Sequence, residues 1–334
     1  MSCLKVAIII PVKRFNNKLK KSIEKCLGLD YQNVEIIVFP DDSSKEFDVF
    51  NDKIKVVPTG NMGPALKRDL ALNHSRAELF AFLDDDAYPE PDWLKNAVPH
   101  FEQEDVAAVG GPSVTPREST LWAHGSGHVF SSIFVSGPYL YRYLPGKKKL
   151  VEDYPSCNFI VRRDIFEGLG GFDNTFWPGE DTKLCLDITK KSGKKIVYDP
   201  AVLVHHHRRE LGLSHFKQVA NYALHRGYFA KRFPETSLRL AYFIPSLFVA
   251  YVLAGGGLSF LNKKIALAYL FSMAAYFVII LINVIYSLLR DKIVGPLVKV
   301  KLVFPVVFGI VGTHFCYGIF LLKGLLASKL KEEM

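Results

Sequence analysis

The chain has 334 residues, which is enough for one domain of ordinary size and a further region. Its formal net charge is +9. The first 236 residues carry 32 basic and 30 acidic residues, whereas the stretch from Ser237 onward carries ten basic and three acidic ones. The basic excess therefore lies in the hydrophobic third of the chain, where an anionic lipid surface explains it better than nucleic acid does. Five dispersed cysteines, without a CxxC pair, argue against a disulfide framework and favour a reducing compartment.

Residues 1–208 alternate between short apolar runs and helical patterns. The first run, Val6–Pro11, is too short for the core of a signal peptide and has the length of a buried strand. Further strands are predicted at Glu35–Phe39, Lys55–Val57, Leu79–Leu83, Val106–Gly110, Asn158–Val161 and Lys195–Tyr198. Helices are predicted at Lys18–Leu27, Gly63–His74, Asp92–Glu102 and Glu180–Ser192. Continuous apolar strands indicate a sheet covered by helices on both faces, and hence an α/β domain.

Residues 209–236 show apolar positions at helical spacing, with basic residues elsewhere on the turn. This pattern predicts a basic amphipathic helix at a membrane surface, and an ordinary surface helix is the alternative. Residues 237–334 contain three long apolar runs, at about Leu238–Leu258, Ile265–Leu289 and Leu302–Leu322. Each reaches the ~20 residues that cross a bilayer, so three transmembrane helices are predicted.

Positive charge before the first span and between the second and third predicts the orientation. Only Lys263 and Lys264 lie between the first and second spans, whereas the other two flanks hold four basic residues each. The sequence thus predicts a multi-pass protein of the cell membrane, with its N-terminal domain in the cytoplasm and its C-terminal tail outside.

Three consecutive acids, Asp84, Asp85 and Asp86, follow the predicted strand Leu79–Leu83. They would lie at the carboxyl edge of a parallel sheet, where open α/β sheets bind ligands. Adjacent like charges are unfavourable unless a cation or hydrogen bonds offset them. Asp84 and Asp86 therefore suggest a Mg²⁺ or Mn²⁺ site shared with a substrate diphosphate, and simple capping of the next helix is the alternative.

Residues 6–208 resemble the family-2 glycosyltransferases, whose catalytic domain has the Rossmann-like, nucleotide-sugar-binding GT-A fold. The matching segments appear in the family's order: Val6–Pro11, Glu35–Val38 with Asp41–Ser44, Asn61–Asp69, Asp84–Asp86, Asn158–Arg163, Gly170–Asp173 and Gly179–Asp181. Each match is short, but seven of them in order over two hundred residues are specific.

The resemblance implies a donor site and a metal site. Asp84 and Asp86 match the DxD-type motif that binds the metal and the donor diphosphate. Asp41 or Asp42 would contact the base or ribose, and Pro40 stands where the family often has an acid. Further residues implied at the donor are Pro11, Val12, Gly63, Lys67, Arg68 and Asp85. Lys67 and Arg68 have the alternative of being solvated helix charges.

The pair Glu180-Asp181 matches the family's acidic pair that supplies the general base. Direct displacement at the anomeric carbon requires a carboxylate to accept the proton of the acceptor hydroxyl. Asp181 is the predicted base and Glu180 the alternative. A non-catalytic acid at a helix N-terminus remains the structural alternative.

Three adjacent histidines, His205, His206 and His207, follow a strand-like run. His205 or His207 resembles a histidine with which some GT-A enzymes complete the metal site, and a solvated basic edge is the alternative. The segment between Gly110 and Pro155 is rich in glycine, proline and aromatic residues, which is typical of an acceptor-binding region.

Together these features predict a metal-dependent, inverting glycosyltransferase of the hexosyltransferase type. It would use a nucleotide-sugar and a polyprenyl-linked or glycan acceptor at the membrane, with membrane lipids and no nucleic acid as partners. A processive polysaccharide synthase is the first alternative, but the Gln-x-x-Arg-Trp motif is missing after the acidic pair. A non-catalytic membrane scaffold is the second.

Overall fold

The computed structural model describes residues 4–172, 176 and 178–330, so Cys3, Asp173 of the Gly170–Asp173 match and the last four residues lie outside it. The chain divides into an α/β unit of residues 4–114 and 144–207 and a helical unit of residues 115–143 and 208–330. The segment 115–143 thus groups with the helical unit, whereas the sequence analysis kept it in the α/β domain. Its main element is a helix whose apolar and small side chains are largely buried.

The α/β unit contains strands that match the predicted runs and several short ones in addition. The strands are β1 (Val6–Pro11), β2 (Val34–Phe39), β3 (Lys55–Val56), β4 (Leu79–Leu83), β5 (Ala87–Pro89), β6 (Val106–Gly110), β7 (Ser113–Val114), β8 (Lys149–Val151), β9 (Asn158–Arg162), β10 (Lys195–Tyr198) and β11 (Val204–His206). Its helices are α1 (Asn17–Leu27), α2 (Pro64–Asp69), α3 (Ala71–His74), α4 (Trp93–Ala97), α7 (Arg163–Gly168) and α8 (Glu180–Leu186). Turns of 3₁₀-helix at Lys45–Lys53 and Val98–Glu102 and a π-turn at Asp187–Lys191 complete it.

An eight-stranded sheet in the order β3-β2-β1-β4-β9-β6-β10-β8 forms the centre of this unit. The pairs β1–β2, β1–β4, β2–β3 and β6–β10 are parallel, whereas β9 runs antiparallel to both β4 and β6. The sheet is therefore mixed: β1, β2, β3, β4, β6 and β10 run in one direction, as expected for a parallel edge, whereas β9 and β8 are reversed. Because β9 is reversed, its first residue, Asn158, pairs with the last residue of β4, Leu83. A smaller sheet has the order β5-β11-β7.

Both faces of the central strands are covered, as their continuous apolar sequences predict. On one face Val6, Ile8 and Ile10 pack in a large apolar core together with the buried side of α1. On the other face Phe80 and Phe82 pack edge-on against Phe166 and Phe172. Each fully buried side chain of this size stabilises the fold by about 1.5–3 kcal/mol. The strands are thereby rigid, and the loops at their ends are held in place.

Asn158 fastens three segments beneath the carboxyl edge of β4. Its side chain is fully buried, donates to the carbonyl oxygens of Gly111 (2.7 Å) and Val202 (2.8 Å), and accepts from Trp93 Nε1 (2.9 Å). Gly111 has no room for a side chain, because a Cβ atom there would lie 1.7 Å from the carbonyl oxygen of Val202. The loops that lead into β7 and β11 are therefore fixed against each other by one amide.

The helical unit contains α5 (Leu121–Phe130), α6 (Ile133–Ser136), a 3₁₀ turn at Gly137–Arg142, α9 (Leu213–Arg232), α10 (Pro234–Ser237), α11 (Leu240–Leu258), α12 (Lys263–Arg290) and α13 (Pro296–Leu326). The helices α11, α12 and α13 coincide with the three apolar runs and are long and apolar enough to cross a membrane. Large apolar side chains such as Phe271 and Phe304 are exposed on them. Such surfaces are expected to face lipid.

The sequence predicted the helix α9 at the membrane surface. In the structure it packs along α13, and the two backbones touch at glycine residues. A Cβ atom on Gly227 would lie 2.0 Å from the carbonyl oxygen of Leu321, and one on Gly324 would lie 1.9 Å from that of Leu224. Small residues at such a crossing allow two helices to approach closely without a side chain between them. One face of α9 is therefore buried against α13, and contact of its basic face with a membrane stays a prediction.

Replacing Asn158 by Ala is expected to lower the free energy of unfolding by about 2–4 kcal/mol, because two buried carbonyl oxygens and an indole N–H lose their partner. Urea unfolding of the full-length protein in detergent, followed by tryptophan fluorescence, measures the loss. The control is Asn96→Ala, which removes one surface hydrogen bond to the carbonyl of Ala201 and should reduce stability by about 1 kcal/mol or less. Equal losses in the two variants would contradict the role given to Asn158.

Candidate functional site

The structure brings Asp84, Asp86 and His206 together at the carboxyl edge of β4. One ligand atom of each side chain lies within 4.8 Å of the others. The strand β11 contributes His206, because it pairs with β5 directly after the acidic segment, with His206 opposite Ala87. His206 Nε2 lies 3.0 Å from Asp86 Oδ1. Two carboxylates and an imidazole are the oxygen and nitrogen ligands that suit Mn²⁺ and Mg²⁺, so the donor set fits a divalent cation.

The histidine in this group differs from the two that the sequence analysis selected. His205 Nε2 pairs with Glu90 Oε1 at 2.6 Å, and its ring stacks on Tyr88 at 4.8 Å. The ring of His207 also faces Tyr88, at 6.1 Å. Successive side chains of a strand point to opposite faces, and His206 points to the carboxylates while the rings of His205 and His207 lie near Tyr88. The sequence shows that neighbouring histidines alternate between the two faces of the strand. It does not show which face lies next to Asp84 and Asp86.

Burial and neighbouring charges shift the pKa values of Asp85 and Asp86 in opposite directions. Burial alone would raise the pKa of Asp86, but the charge and hydrogen bond of His206 outweigh it and lower the pKa to about 2. Burial would lower the pKa of His206, but the charge of Asp86 raises it to about 10. Burial and the charge of Asp86 raise the pKa of Asp85 to about 6, although Asn16 donates to its carboxylate at 3.0 Å. Without a metal, Asp86 and His206 thus form an ion pair at neutral pH.

Arg68 links this group to the acidic pair at the start of α8. Its side chain is 4% exposed, with Nη2 at 2.6 Å from Asp84 Oδ1 and Nη1 at 3.4 Å from Glu180 Oε1. The guanidinium group is also 5.7 Å from the ring centroid of Phe172. Burial and the charge of Asp181 raise the pKa of Glu180 to about 7, although Arg68 opposes this change. The two acidic sites that the sequence analysis treated separately are therefore joined by one buried cation.

The two acids of the pair have different surroundings. Glu180 is buried, with Arg68 on one oxygen and the backbone N–H of Gly179 on the other at 2.9 Å. Asp181 is half-buried and accepts from the backbone N–H groups of Thr182 (2.7 Å) and Ser156 (3.4 Å). Its carboxylate is thus oriented by the backbone and reachable from solvent. A proton acceptor for a substrate needs this access, which Glu180 lacks.

Lys67 holds together the loops that follow β1 and β2. Its side chain is 2% exposed, and Nζ donates to the carbonyl oxygen of Val12 at 2.6 Å and pairs with Asp41 Oδ1. Lys67 and Arg68 are therefore buried and paired, which excludes the alternative of solvated helix charges. Among the other residues expected at the donor, Pro11 ends β1 and is buried, whereas Asp42 and Gly63 are exposed.

Asp69 holds the turn at Gly171 and Phe172 in place, a role that its sequence context did not predict. Its Oδ1 accepts from the backbone N–H of Phe172 at 2.8 Å. Gly171 has φ +79° and lies so close that a Cβ atom there would be 2.6 Å from the same oxygen. Burial raises the pKa of Asp69 to about 7. Asn16 was missed as well: it caps α1 and donates to Asp85, and its position before a helical pattern is the only signal of this role in the sequence.

The mixed α/β sheet, with an acidic group at its edge that could hold a divalent cation, agrees with the expected GT-A fold. Residues 7–170 match the profile described as "Glycosyl transferase family 2". This match and the glycosyltransferase relatives confirm the resemblance to glycosyltransferase family 2 that the sequence motifs predicted.

Two curated relatives and one solved structure show how far the likeness extends. The "Pre-mycofactocin glycosyltransferase" of Mycobacterium tuberculosis is 30% identical over 216 residues, which cover 62% of this chain and 43% of that protein. The "Glucosyl-dolichyl phosphate glucuronosyltransferase" of Haloferax volcanii is 25% identical over 223 residues, which cover 61% of this chain and 69% of that protein. The mannosyltransferase PcManGT of Pyrobaculum calidifontis, solved with GDP-Man and Mn²⁺, matches with TM-score 0.64 and 16% identity, covering 98% of this chain and 88% of its own. This structure confirms the fold.

Replacing Asp69 by Asn is expected to change the pH dependence of stability. The free energy of unfolding of the variant, relative to that of the parent, should be higher at pH 8 than at pH 5. The folded state holds the proton of Asp69 up to about pH 7, whereas the unfolded chain releases it near pH 4, so ionisation of this group removes stability as pH rises between these values. The slope is at most about 1.4 kcal/mol per pH unit, and Asn removes it while keeping the acceptor for Phe172. Urea unfolding at pH 5 and pH 8 measures the difference between the variant and the parent. The exposed Asp92→Asn variant is the control, and equal pH dependence in the Asp69 variant and the parent would contradict the assignment.

Proposed function

We propose that the protein is an inverting glycosyltransferase that moves a sugar from a nucleotide-sugar to a membrane-associated acceptor, polyprenyl-linked or glycan, at the cytoplasmic face of the cell membrane. The observation that carries the proposal is the joined arrangement of Asp84, Asp86 and His206 with Arg68 and Glu180. A fold kept only as a scaffold has no need of a buried arginine that couples a cation site to a second acidic pair.

The names of the relatives support a nucleotide-sugar donor and a lipid-linked or glycan acceptor. One relative is named for a dolichyl phosphate-linked sugar acceptor and another for pre-mycofactocin. A third, from Methanococcus voltae, is named for a dolichyl phosphate-linked N-acetylglucosamine. The mannosyltransferase with the similar fold was solved with a sugar nucleotide and Mn²⁺. The match covers only 43% of the pre-mycofactocin relative, so the transfer of these activities to this chain is part of the proposal.

Asp84 and Asp86 would hold a divalent cation together with His206. The bound cation would supply positive charge to offset the charge that develops on the leaving nucleotide diphosphate. For binding to occur, the imidazolium proton of His206 must leave, because only the neutral ring is a ligand. Arg68 would keep Asp84 in position, since its guanidinium donates to Asp84 Oδ1.

Asp181 would act as general base. Its backbone hydrogen bonds orient the carboxylate, and its partial exposure lets an acceptor hydroxyl approach. Glu180 would act indirectly, by holding the guanidinium group of Arg68 beside the acidic pair. Lys67 would act on the donor side by fixing Asp41 and the loop at Val12, so that the nucleotide-binding surface is formed before the donor arrives.

The test is the hydrolysis of UDP-, GDP- and dTDP-sugars by the purified full-length protein with Mn²⁺ or Mg²⁺. We expect one donor class to be consumed, and the rate to fall at least about 100-fold in Asp86→Ala and Asp181→Ala and on chelation of the metal. The exposed Asp92→Ala variant should keep the parental rate within about twofold.

Calorimetry of metal-dependent nucleotide binding separates the possible failures. A parent protein that neither consumes any donor nor binds any nucleotide in the presence of metal would overturn the catalytic proposal and favour a scaffold. Loss of turnover with nucleotide binding intact is expected for Asp181→Ala, whereas Asp86→Ala should lose both.

The proposed orientation gives a second test, by cysteine labelling in intact cells. In a background without native cysteines, Leu261→Cys and Ser328→Cys should react with a membrane-impermeant maleimide, whereas Lys292→Cys should react only after permeabilisation. The basic residues on either side of Lys292 favour the cytoplasm. The opposite pattern would place the α/β unit outside and refute the orientation.

A further inference from the structure

The strand β11 brings His206 to the two carboxylates of the candidate site, yet it has only three residues. Its backbone pairs with β5 at Val204, His205 and His206, and with β7 at the first two of these. Short strands fray at their ends, and a shift of one residue would turn the side chain of His206 to the opposite face. A metal site tolerates only small displacements of its ligands. The position of His206 therefore depends on the other contacts that hold this strand.

Glu90, which directly follows β5, holds β11 at two points. Its backbone N–H donates to the carbonyl oxygen of Leu203 at 3.2 Å, just before the strand begins. Its carboxylate oxygen Oε1 lies 2.6 Å from Nε2 of His205, and because a carboxylate can only accept, the imidazole N–H donates to it. One residue thus fixes the start of the strand and also the side chain immediately before His206.

Tyr88 holds the same histidine from the middle of β5. The two residues are directly opposite each other in the strand pair, and their rings stack with centroids 4.8 Å apart and an interplanar angle of 18°. Tyr88 is itself anchored: it is buried, and Nζ of Lys21 on α1 lies 4.3 Å from the centroid of its ring. The apolar side of α1 packs in the large core of the α/β unit. The imidazole of His205 is therefore fixed by a carboxylate and by a ring that cannot easily move.

We propose that Glu90 and Tyr88 are positioning residues for the cation site. By holding His205 on one face of β11, they keep His206 directed at the two carboxylates on the other. Both residues act through the neighbour of a ligand, so their removal is expected to lower the affinity for the cation without changing the donor set. That the cation serves sugar transfer rests on the proposed function, whereas the positioning concerns the binding of the cation itself.

The test is the affinity of the full-length protein for Mn²⁺, measured in a nonionic detergent without nucleotide-sugar, from the electron paramagnetic resonance signal of free Mn²⁺. Glu90→Ala should weaken binding about five- to tenfold, because His206 then occupies its binding position for a smaller fraction of the time. Glu90→Gln removes the charge but keeps an oxygen that accepts from His205, so its affinity should stay within about twofold of the parent. Equal losses in these two variants would assign the effect to charge alone and overturn the proposal.

Tyr88 is tested with a matched pair of substitutions. Tyr88→Phe keeps the stacked ring and should bind Mn²⁺ within about twofold of the parent, whereas Tyr88→Leu should bind about fivefold more weakly. The double variant Glu90→Ala/His205→Ala should lose no more affinity than the larger loss of its two single variants, since all three interrupt the same contact. Losses that add in the double variant, or a Tyr88→Phe variant as weak as Tyr88→Leu, would contradict an action through His205.

Thermal unfolding separates a local effect from loss of the fold. The side chain of Glu90 is 43% exposed, so Glu90→Ala should unfold within about 3 °C of the parent while its Mn²⁺ affinity falls. The matched control is Asp92→Ala, which removes an exposed carboxylate two residues further along that makes no side-chain cap to its helix. It should bind Mn²⁺ within about twofold of the parent.

Two failures are distinguishable. A parent that binds Mn²⁺ while Glu90→Ala and Asp92→Ala bind it equally well would overturn the positioning role and leave the cation site intact. A parent that binds no Mn²⁺ at millimolar concentration would refute the cation site of the proposed function, and the positioning role with it.

Discussion

The pair of ionic contacts made by the buried guanidinium of Arg68 is the constraint on which the candidate site depends. Asp84 follows β4 and Glu180 begins α8, far apart in the chain, and the side chains of both contact Arg68. Two carboxylates near each other in a poorly solvated place repel strongly, so neither loop could keep its position without a cation between them. Arg68 supplies this cation from a helix whose own position is fixed by packing on β1, and the carboxylates in turn satisfy a charge that could not be buried alone.

The helix α2 acts through three consecutive residues. Lys67 fastens the loops after β1 and β2, Arg68 joins Asp84 to Glu180, and Asp69 holds the turn before Phe172. Successive side chains of a helix point about 100° apart, so three neighbours reach three different segments. Each of these contacts is charged or charge-assisted and largely buried, so removing one leaves a group without its partner in a place that water reaches poorly. A change in any one of the segments that contact α2 is therefore expected to affect the others through this short helix.

The sequence was sufficient for elements whose signal is local. The strands β1, β4, β6 and β10 have the predicted bounds, because continuous apolar runs between turn residues favour buried strands. The direction of β9 was not predictable, since it depends on which strands it pairs with and not on its own residues. His206 was not selected for the same reason: alternation separates it from its neighbours, but only the pairing of β11 with β5 decides which face meets the carboxylates. The roles of Arg68 and Asp69 rest on contacts across 112 and 103 residues of chain.

The charge at this edge of the sheet has a consequence for the order of binding. The carboxylates of Asp84, Asp85, Asp86, Glu180 and Asp181 outnumber the nearby cations of Arg68 and His206, and Arg68 is already engaged by two of them. A nucleotide diphosphate is itself an anion, so the metal-free edge repels it. A divalent cation at Asp84 and Asp86 would reduce this negative charge and would compete with the proton that keeps His206 paired with Asp86. We therefore expect the cation to be in place before, or to arrive together with, an anionic donor, and its affinity to fall as protons compete for His206.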